Sequence, residues 1–324
     1  MRALITGITG QDGSYLAEFL LQKGYEVHGV ARNLEGVSQS RIAHLARQPE
    51  IWNRQLLLHA GDVTRPAAWL AWLAAAPPDE VYHLAAQSHS GLSFQRPEET
   101  CDVNGMGTLR LLEVLRGLPH PPKFLHASSS EIFGRPDTAP QDEQTPFRPV
   151  TPYGCAKAFA THLTALYRGS HGLFAVNAIL YNHESPRRGH TFVTQKICAA
   201  AAAIKEGRQQ RLLLGNTAAR RDWGDAREYV RGMWLALQHP VPEDYVFATG
   251  ALHSVQDVVE AAFGVVGLDW RNYVQHDPGL MRPEDPGSLV GNPAKALRLL
   301  GWKCATPFES LIAEMVQAHR TTKP

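Results

Sequence analysis

The chain has 324 residues, 44% of them hydrophobic, and a formal net charge of +1 from 32 Lys and Arg against 31 Asp and Glu. That hydrophobic fraction buries a core and excludes wholesale disorder, and the length fits either two domains or one large α/β unit with an appended lobe. The balanced charge argues against a nucleic-acid partner and a polybasic membrane binder. The longest uncharged apolar-rich run, residues 66–78, is shorter than the ~18 residues that a membrane span needs.

Four cysteines are far apart in the sequence: Cys101, Cys155, Cys198 and Cys304. No pair has the close spacing of a metal-binding or redox motif, so we predict no metal site. Reduced thiols are typical of cytoplasmic proteins, which is the location that we predict. Gly7 interrupts the first apolar run, and we therefore expect no signal peptide at the start of the chain.

Strand-like and helix-like patterns alternate through the first half of the chain. Short apolar runs predict strands at residues 2–6, 25–31, 55–58, 80–85 and 124–127. Apolar residues at helical spacing predict helices at residues 14–22 and 108–116. Strands that alternate with helices form parallel sheets covered on both faces. We therefore predict an α/β fold with a Rossmann-like, doubly wound parallel sheet.

The second half of the chain has a less regular pattern. It predicts helices at residues 153–167, 192–204, 297–301 and 308–318, and strands at residues 173–180 and 245–249. Residues 277–293 are rich in Pro and Gly and are predicted to form a loop. We expect this half to build a smaller, mostly C-terminal substrate-binding lobe beside the sheet.

Three glycines, Gly7, Gly10 and Gly13, follow the first predicted strand and open the first predicted helix. Glycine there permits a tight turn, close approach of the backbone to a pyrophosphate, and close packing of helix on strand. The helix N-terminus then receives the phosphate charge. An ordinary Gly-rich turn has the same composition, but its place after the first strand of an α/β pattern favours a dinucleotide cofactor.

The end of the second predicted strand distinguishes between two cofactors. NAD sites usually place an acid there for the ribose 2′-hydroxyl, whereas NADP sites lack the acid and use an arginine for the 2′-phosphate. Residues 29–33 contain no acid and include Arg32, which predicts NADP unless Arg32 is only a solvated surface residue. Asp62, after the third strand, either accepts a hydrogen bond from the adenine amino group or caps a helix.

The middle segment contains candidates for catalysis. Tyr153 and Lys157 lie one turn apart on the same face of a predicted helix, and a lysine ammonium with a positive nicotinamide stabilises a phenolate. Tyr-x-x-x-Lys alone is common by chance. Here a run of serines at residues 128–130 ends the preceding strand, where a ligand crevice forms, and a serine there can hydrogen-bond a reacting hydroxyl. Glu131 adds a second acid–base group, or is only a carboxylate at a helix N-terminus.

Longer motifs make the pattern more specific. They are Gly-Ile-Thr-Gly-Gln-Asp-Gly-Ser-Tyr (7–15), Leu-Ala-Ala-Gln-Ser-His (84–89), Val-Asn-Gly-Met-Gly-Thr-Leu-Arg-Leu-Leu-Glu (103–113), Asn-His-Glu-Ser-Pro-Arg-Arg-Gly (182–189), Arg-Asp-Trp-Gly (221–224), Gly-Asn-Pro-Ala-Lys-Ala (291–296) and Leu-Gly-Trp-Lys (300–303). With the Tyr-x-x-x-Lys pair, they resemble the GDP-mannose 4,6-dehydratase family of the extended short-chain dehydrogenase/reductases. The resemblance runs essentially from end to end. Its most specific parts are the Gln-Asp-Gly turn and the 182–189 loop.

The resemblance implies a lyase that dehydrates a GDP-sugar through tightly held NADP, with no net redox change. Tyr153 would take the proton of the sugar C4 hydroxyl while the C4 hydride passes to the nicotinamide, and Ser129 would hold the C4 oxygen. Glu131 would remove the C5 proton and assist loss of the C6 hydroxyl as water, before the hydride returns to C6. Lys157 would lower the pKa of the tyrosine and bind the ribose.

The resemblance also implies binding residues. Those predicted for the cofactor are Gly7, Thr9, Gly10, Gln11, Asp12, Gly13, Arg32, Asp62, Val63, Leu84, Ala85, Ala86, Ser88, Tyr153, Lys157, His183 and Arg188. Those predicted for the GDP-sugar are Ser88, Ser129, Asn182, Lys196, Arg221 and Arg282. An arginine suits a diphosphate, but surface salt bridges would explain Arg221 and Arg282 equally.

The domain organisation follows from the same resemblance. Residues 1–183 are predicted as an NADP-binding Rossmann domain, with a returning strand near residues 245–250. Residues 184–324 are predicted to be mainly the substrate-binding lobe, which is therefore discontinuous.

The chain departs from the family pattern at several positions. Ser129 stands where threonine is usual, and both residues offer a hydroxyl. Residues 32–35 replace an Arg-Arg-Ser-Ser run that reaches a neighbouring subunit, which argues against a firm tetramer and for weaker 2′-phosphate binding. Glu99 replaces a tyrosine. Asp285 and Gly287 replace glutamate and aspartate in a segment that binds the nucleotide, so the preferred nucleotide or sugar is left open.

The family dimer packs two helices of each subunit into a four-helix bundle. The helices at residues 108–116 and 153–167 carry enough apolar positions for an inward and an outward face: Leu109, Leu112 and Leu115 on one, Phe159, Leu163 and Leu166 on the other. We therefore predict a homodimer, in which any homotetramer is weak and salt-sensitive.

Three functional hypotheses remain at this point. The leading one is a GDP-mannose 4,6-dehydratase activity. The second is a related dehydratase, epimerase or reductase that acts on another sugar nucleotide; Glu131 disfavours the last two, because they need no base at C5. The third is a non-catalytic NADP sensor on the same fold, which has no reason to keep Ser129, Glu131, Tyr153 and Lys157 together.

Overall fold

The computed structural model describes residues 1–70, 77–281, 287 and 289–320. The strands in these residues are β1 Arg2–Thr6, β2 Glu26–Ala31, β3 Leu56–Ala60, β4 Glu80–His83, β5 Lys123–Ala127, β6 Ala175–Leu180, β7 Asn182–Glu184, β8 Leu212–Leu214, β9 Arg220–Arg221, β10 Trp223–Asp225, β11 Asp244–Phe247, β12 His253–Ser254 and β13 Val274–His276. The α-helices are α1 Gln11–Gln22, α2 Pro66–Leu70, α3 Ser90–Ser93, α4 Pro97–Cys101, α5 Gly107–Arg116, α6 Pro152–His171, α7 Val193–Lys205, α8 Ala226–Gln238, α9 Val255–Val266, α10 Ala294–Leu300 and α11 Phe308–Gln317.

Seven strands form the central sheet, in the order β11-β6-β5-β4-β1-β2-β3, and all of its pairings are parallel. Helices cover both faces: α1 and α8 contribute to the core on one face, and α5 and α6 to the core on the other. Because parallel strands need crossover connections, their carboxyl ends lie along one edge, where ligands bind in such folds. The predicted doubly wound fold is confirmed.

Every strand predicted for the sheet is present, with boundaries shifted by a few residues. The strand expected at residues 245–249 is β11, which returns to the sheet beside β6. Helix α6 is longer than predicted, because Thr151 caps its first turn by accepting from Gly154 N and Gly172 ends it in a left-handed conformation.

The sequence analysis missed the short helices α2, α3 and α4 and the longer helices α8 and α9. Asp225 accepts a hydrogen bond from Arg227 N at the start of α8. Ser254 and Asp257 form a reciprocal capping box at the start of α9. Both helices bury an apolar face, so cap signals and helical spacing were available in the sequence.

A second core lies outside the sheet. It packs α7, α9 and α11 together with β8, and the alanines of α7 let the neighbouring helices approach closely. Residues after position 184 also contribute to the core between α1, α8 and the sheet, where Tyr229, Met233 and Trp302 pack. The division at residues 183 and 184 stays a prediction.

The structure corrects the predicted apolar face of α5. Leu112 and Leu115 are 0% and 1% exposed, because the side of α5 that carries them packs on the sheet. On α6, by contrast, Phe159 and Leu166 are 43% and 53% exposed. An apolar surface for a second subunit therefore belongs mainly to α6.

The described part of the chain has neither a membrane-spanning helix nor a metal-binding cluster. None of its helices combines the length and the apolar character that crossing a membrane requires. No group of three or more His, Cys, Asp or Glu residues described here is arranged to hold a metal ion. The four cysteines are free thiols, of which Cys101 and Cys155 are exposed. Of the apolar run at residues 66–78, residues 71–76 lie outside the described residues.

Candidate active site

One cavity of about 880 Å³ opens at the carboxyl ends of the sheet strands and extends to the second core. It is lined by all of the predicted site residues that the structure describes: Gly7, Thr9, Gly10, Gln11, Asp12, Gly13, Arg32, Asp62, Val63, Leu84, Ala85, Ala86, Ser88, Ser129, Glu131, Tyr153, Lys157, Asn182, His183, Arg188, Lys196 and Arg221. Arg282 lies outside the described residues. Residues that are up to 214 positions apart in the sequence (Gly7 to Arg221) therefore line one continuous space.

The glycine turn at the start of α1 has no room for side chains. Gly7 has a φ of +74°, and a Cβ there would lie 2.8 Å from Ala85 N. A Cβ on Gly13 would lie 2.3 Å from the Gly7 carbonyl oxygen. Gly10 is the N-cap of α1, and no side chain caps the N–H groups of the first turn. The backbone of this turn is thus open to a phosphate group at the helix N-terminus.

Arg32 and Asp62 lie at the ends of neighbouring strands, at one end of the cavity. Asp62 accepts hydrogen bonds from Thr64 N and Thr64 Oγ1, both at 2.9 Å. The bond from the Thr64 backbone is the largest cause that lowers the pKa of Asp62, and the charge of Arg32 adds to it. Since Asp62 already has protein donors, its contact with an adenine stays a prediction.

Arg41 is a cavity residue that the sequence analysis missed. Its Nε donates to the Arg187 carbonyl oxygen at 2.5 Å, and its Nη1 donates to the Thr9 carbonyl oxygen at 3.3 Å. Burial, followed by the charges of Arg188 and Arg187, lowers the pKa of Arg41. This group of arginines beside the glycine turn favours an anionic ligand. No sequence pattern singled out Arg41, because its partners come from two distant segments.

The two most specific motifs of the sequence contact each other. Gln11 Nε2 donates to the His183 carbonyl oxygen at 3.0 Å, and Ser185 Oγ donates to Gln11 Oε1 at 2.8 Å. Asp12 Oδ2 lies 2.9 Å from His183 Nε2. The Gln-Asp-Gly turn is therefore hydrogen-bonded to β7 and to the loop that follows it.

Asp12 and His183 form a buried ion pair. Burial disfavours both charges, but the charge and hydrogen bond of each partner outweigh it: the pKa of Asp12 is lowered and that of His183 is raised. His183 Nδ1 also donates to the Tyr181 carbonyl oxygen at 2.7 Å, and the ring stacks on Tyr229 with centroids 4.6 Å apart. With a hydrogen-bond acceptor at each ring nitrogen, the imidazole is held in its doubly protonated form.

Tyr153 and Lys157 project from the first turns of α6 into the cavity. Lys157 Nζ donates to the Ala127 carbonyl oxygen at 2.7 Å and lies 6.0 Å from the centre of the Tyr153 ring. Burial lowers the pKa of Lys157 to about 8. A lysine whose pKa is near the working pH readily gives and regains a proton.

The sequence analysis expected the pKa of Tyr153 to be lowered, but the surrounding protein groups raise it. Burial, and then the negative charge of Glu131, raises it, while a hydrogen bond with Ser129 partly offsets the rise. Lys157 is not among the main causes of this shift. Further positive charge near the phenol would lower its pKa and help it to ionise.

Glu131 lies in the 3₁₀ turn that follows β5, and its carboxylate is held from two sides. Ser90 Oγ donates to Glu131 Oε2 at 2.7 Å, and Thr151 Oγ1 donates to the same oxygen at 2.8 Å. Its backbone N–H donates to Ser129 Oγ at 3.2 Å. The cavity therefore contains a phenol and a carboxylate that can each move a proton.

The far end of the cavity carries Asn182, Lys196 and Arg221. Lys196 Nζ donates to the Leu213 carbonyl oxygen at 2.8 Å, and Arg221 Nη1 donates to the Gly287 carbonyl oxygen at 2.8 Å. The neighbouring Asp222 is buried and accepts from three backbone N–H groups, those of residues 249, 250 and 291. These bonds fix the strand that carries Arg221.

Comparison with known proteins identifies the family. The model of the family described as GDP-mannose 4,6 dehydratase matches residues 4–315. The chain belongs to this family. GDP-mannose 4,6 dehydratase 1 of Arabidopsis thaliana is 48% identical over 319 residues, which cover 97% of this chain and 88% of that protein. GDP-mannose 4,6 dehydratase of Homo sapiens is 45% identical over 336 residues, which cover 98% and 90%.

A solved structure agrees on the fold of this GDP-mannose 4,6-dehydratase family member. The structure of RMD from Pseudomonas aeruginosa complexed with NADPH has a TM-score of 0.82 and 22% sequence identity, and 99% of each chain is covered. That likeness shows the fold. The family predicted from the motifs is confirmed over nearly the whole chain.

The Asp12–His183 pair predicts a defined titration. By nuclear magnetic resonance, the pKa of His183 should lie above its ordinary value of 6.5 in the wild type and fall in Asp12→Asn, where burial and the charge of Arg188 are opposed only by the hydrogen bond to the Tyr181 carbonyl oxygen. Because the pKa of His183 is raised by folding, its stabilising contribution is complete below about pH 6.5 and is lost as pH rises through the raised value.

Asp12→Asn should also destabilise the protein by about 3–5 kcal/mol, because it leaves one partner of a buried pair. Glu18→Gln is the matched control: it removes a carboxylate of the same helix that pairs with Arg187 and His44 instead. A His183 titration that is the same in wild type and Asp12→Asn would contradict the pairing.

Proposed function

We propose that the chain is a hydro-lyase that converts GDP-mannose to GDP-4-keto-6-deoxymannose with NADP as cofactor. The observation that carries this proposal is the joint placement of Tyr153 and Glu131 in a cavity that also contains a glycine turn for a dinucleotide. Dehydration needs a base for the C4 hydroxyl and a second base for C5. Family membership over residues 4–315 supports the same reaction.

The residues at the glycine turn fit a dinucleotide phosphate. The space beside Gly7 and Gly13 is so narrow that a Cβ would overlap the backbone there, and Arg41 and Arg188 add positive charge. Arg32 lines the cavity at the end of β2, in a segment without an acid, which favours NADP over NAD. When bound, NADP accepts the C4 hydride and returns it to C6.

The remaining steps of the reaction belong to side chains of the protein. Tyr153 takes the proton from the C4 hydroxyl, and Ser129 donates a hydrogen bond to the C4 oxygen. Lys157, whose pKa burial lowers to about 8, binds the ribose and supplies positive charge near the phenolate. Glu131 removes the proton from C5, which the neighbouring C4 ketone has made acidic, and passes it to the departing C6 hydroxyl.

The far end of the cavity would hold the GDP-sugar. Asn182, Lys196 and Arg221 offer one amide and two cations for its polar groups and diphosphate. We assign Arg282 to the same role from the sequence alone. The second core, with the residues after 184 that build it, would then be the substrate-binding lobe. Free thiols favour a cytoplasmic location.

The first test concerns the base at C5. Glu131→Gln should retain binding of GDP-mannose and NADP but lower the rate of dehydration by about 10²–10⁴-fold, since a general base is typically worth that much. The measurement is formation of the 4-keto-6-deoxy product from GDP-mannose without added cofactor. Glu99→Gln is a control, because Glu99 also lines the cavity but pairs with Arg96.

A loss smaller than about tenfold in Glu131→Gln would exclude Glu131 as the base. Formation of a C4 epimer, or of a 4-reduced sugar at the expense of added NADPH, would replace the proposal with the epimerase or reductase alternative. If other nucleotide sugars gave more product than GDP-mannose, the departures at Asp285 and Gly287 would explain a changed specificity.

The second test concerns the cofactor. Arg32→Ala should weaken the binding of NADP far more than that of NAD, because only NADP carries the 2′-phosphate. Calorimetry on protein stripped of cofactor measures both affinities. Arg65→Ala is the matched control, since Arg65 is also exposed and close to Asp62 but lies outside the cavity. Equal losses for both cofactors would overturn the assignment of NADP.

We further propose that the protein is a homodimer formed through the exposed apolar face of α6. Phe159 and Leu166 lie on this face, and Phe159 packs against Gly105, beside the exposed Met106. Such a face is self-complementary about a two-fold axis. Any tetramer would need the loop after β2 and would be weak at high salt.

The expected result for Leu166→Glu is a monomer, because the proposed interface would bury an unpaired charge in each subunit. Light scattering over a range of protein and salt concentrations measures the change. Leu297→Glu is the control, because Leu297 is 52% exposed on α10, away from α6. A wild-type monomer, or a tetramer that persists at nanomolar protein, would contradict the homodimer.

A further inference from the structure

Ser90 and Thr151 hold one oxygen of the Glu131 carboxylate, and the mechanism above gives neither residue a role. We propose that both are positioning residues, which fix Glu131 so that Oε1 alone faces C5 and C6 of the sugar. This inference rests on the proposed dehydration. It concerns the geometry of the base and not its identity.

The two hydroxyls meet at Oε2 from different parts of the chain. Ser90 Oγ is 2.7 Å from Oε2 and Thr151 Oγ1 is 2.8 Å from it. Both residues are buried, with exposed fractions of 7% and 3%. Hydrogen bonds from two buried donors to an ionised acceptor are short and strong, so they restrain the carboxylate to one orientation.

The direction of the Thr151 hydroxyl is fixed by the helix that it caps. Thr151 Oγ1 accepts a hydrogen bond from Gly154 N at 2.9 Å, at the first turn of α6. Because this N–H occupies a lone pair, the single proton of the hydroxyl is available for Glu131. The base at C5 is thereby joined to the same turn that carries Tyr153, the base for the C4 hydroxyl.

Ser90 is fixed in turn by α3. The N-cap of this helix is His89, whose ring accepts from Leu92 N at 3.0 Å. Ser93 Oγ donates to the Ser90 carbonyl oxygen at 2.6 Å. The hydroxyl of Ser90 has Glu131 Oε2 as its hydrogen-bond acceptor among the described residues. Its removal therefore deletes one contact to the base and leaves the helix intact.

The chemistry explains why a single free oxygen is useful. Among the described residues, both side-chain donors go to Oε2, which leaves Oε1 for the substrate in a cavity that Glu131 lines. The C5 proton moves to Oε1, and the electrons of the C5–H bond form the C5–C6 double bond. The C6–O bond breaks, and the departing oxygen takes the same proton from Oε1 and leaves as water. No rotation of the carboxylate is needed between the two transfers.

The test separates oxidation at C4 from elimination. In Ser90→Ala, oxidation through Tyr153 should proceed while elimination slows by about tenfold or more, the worth of one hydrogen bond to a charged group. Reduced nicotinamide should then accumulate during turnover, which its near-ultraviolet absorbance reports. KM for GDP-mannose should stay within about twofold, and Ser90→Thr, which keeps the hydroxyl, should restore the rate.

Ser93→Ala is the matched control, because it loosens the same helix without touching Glu131. It leaves the Ser90 hydroxyl in place, so it should slow elimination clearly less than Ser90→Ala does, with less accumulation of reduced nicotinamide. For Thr151, the comparison is Thr151→Ser, which keeps both hydrogen bonds, with Thr151→Val, which should slow elimination.

Several outcomes would overturn the inference. They are a Ser90→Ala enzyme without accumulation of reduced nicotinamide, an equal effect of Ser93→Ala, or failure of Ser90→Thr to restore the rate. Absence of the 4-keto-6-deoxy product from the wild-type protein would instead overturn the proposed function. The two failures are thus distinguishable in one set of assays.

Discussion

The buried ion pair between Asp12 and His183 is the contact on which the site depends. It ties the first turn of α1 to β7, the short strand that follows β6 outside the central sheet. β7 in turn pairs with β10, whose neighbour Arg221 lies on the substrate side. Because His183 is buried and Asp12 is mostly buried, this charge pair is costly to break, and it holds the first turn of α1 and β7 together.

The cavity has a positively charged region at the glycine turn and a more buried region around Tyr153 and Lys157. Arginines gather at the glycine turn, where Arg41, Arg187 and Arg188 act on one another, and this positive region suits a diphosphate. Tyr153 and Lys157 are buried: burial raises the pKa of Tyr153 and lowers that of Lys157 to about 8. The pKa of each group is therefore set mainly by burial and not by the other member of the Tyr153–Lys157 pair. Their protonation depends on the walls of the cavity and on the charge of what binds there.

Much of the site was predictable from the sequence, because its motifs are short and lie at strand ends. The glycine turn, Ser129, Glu131 and the Tyr153–Lys157 pair, which the sequence analysis selected, all line one cavity. The helices α8 and α9 were missed although Asp225 and Ser254 mark their starts. Arg41, Ser90 and Thr151 were missed for a different reason: each acts through a partner that is distant in the sequence.

The sequence by itself determined the alternation of strands and helices, the family and the chemical groups of the site, because these depend on local spacing and composition. Only the tertiary structure decided which groups touch. It turned Leu112 and Leu115 inward while leaving Phe159 and Leu166 exposed. It also paired Asp12 with His183 and directed two hydroxyls to one oxygen of Glu131. The physical reason is that burial and hydrogen-bond geometry arise where distant segments pack, and no local pattern specifies that packing.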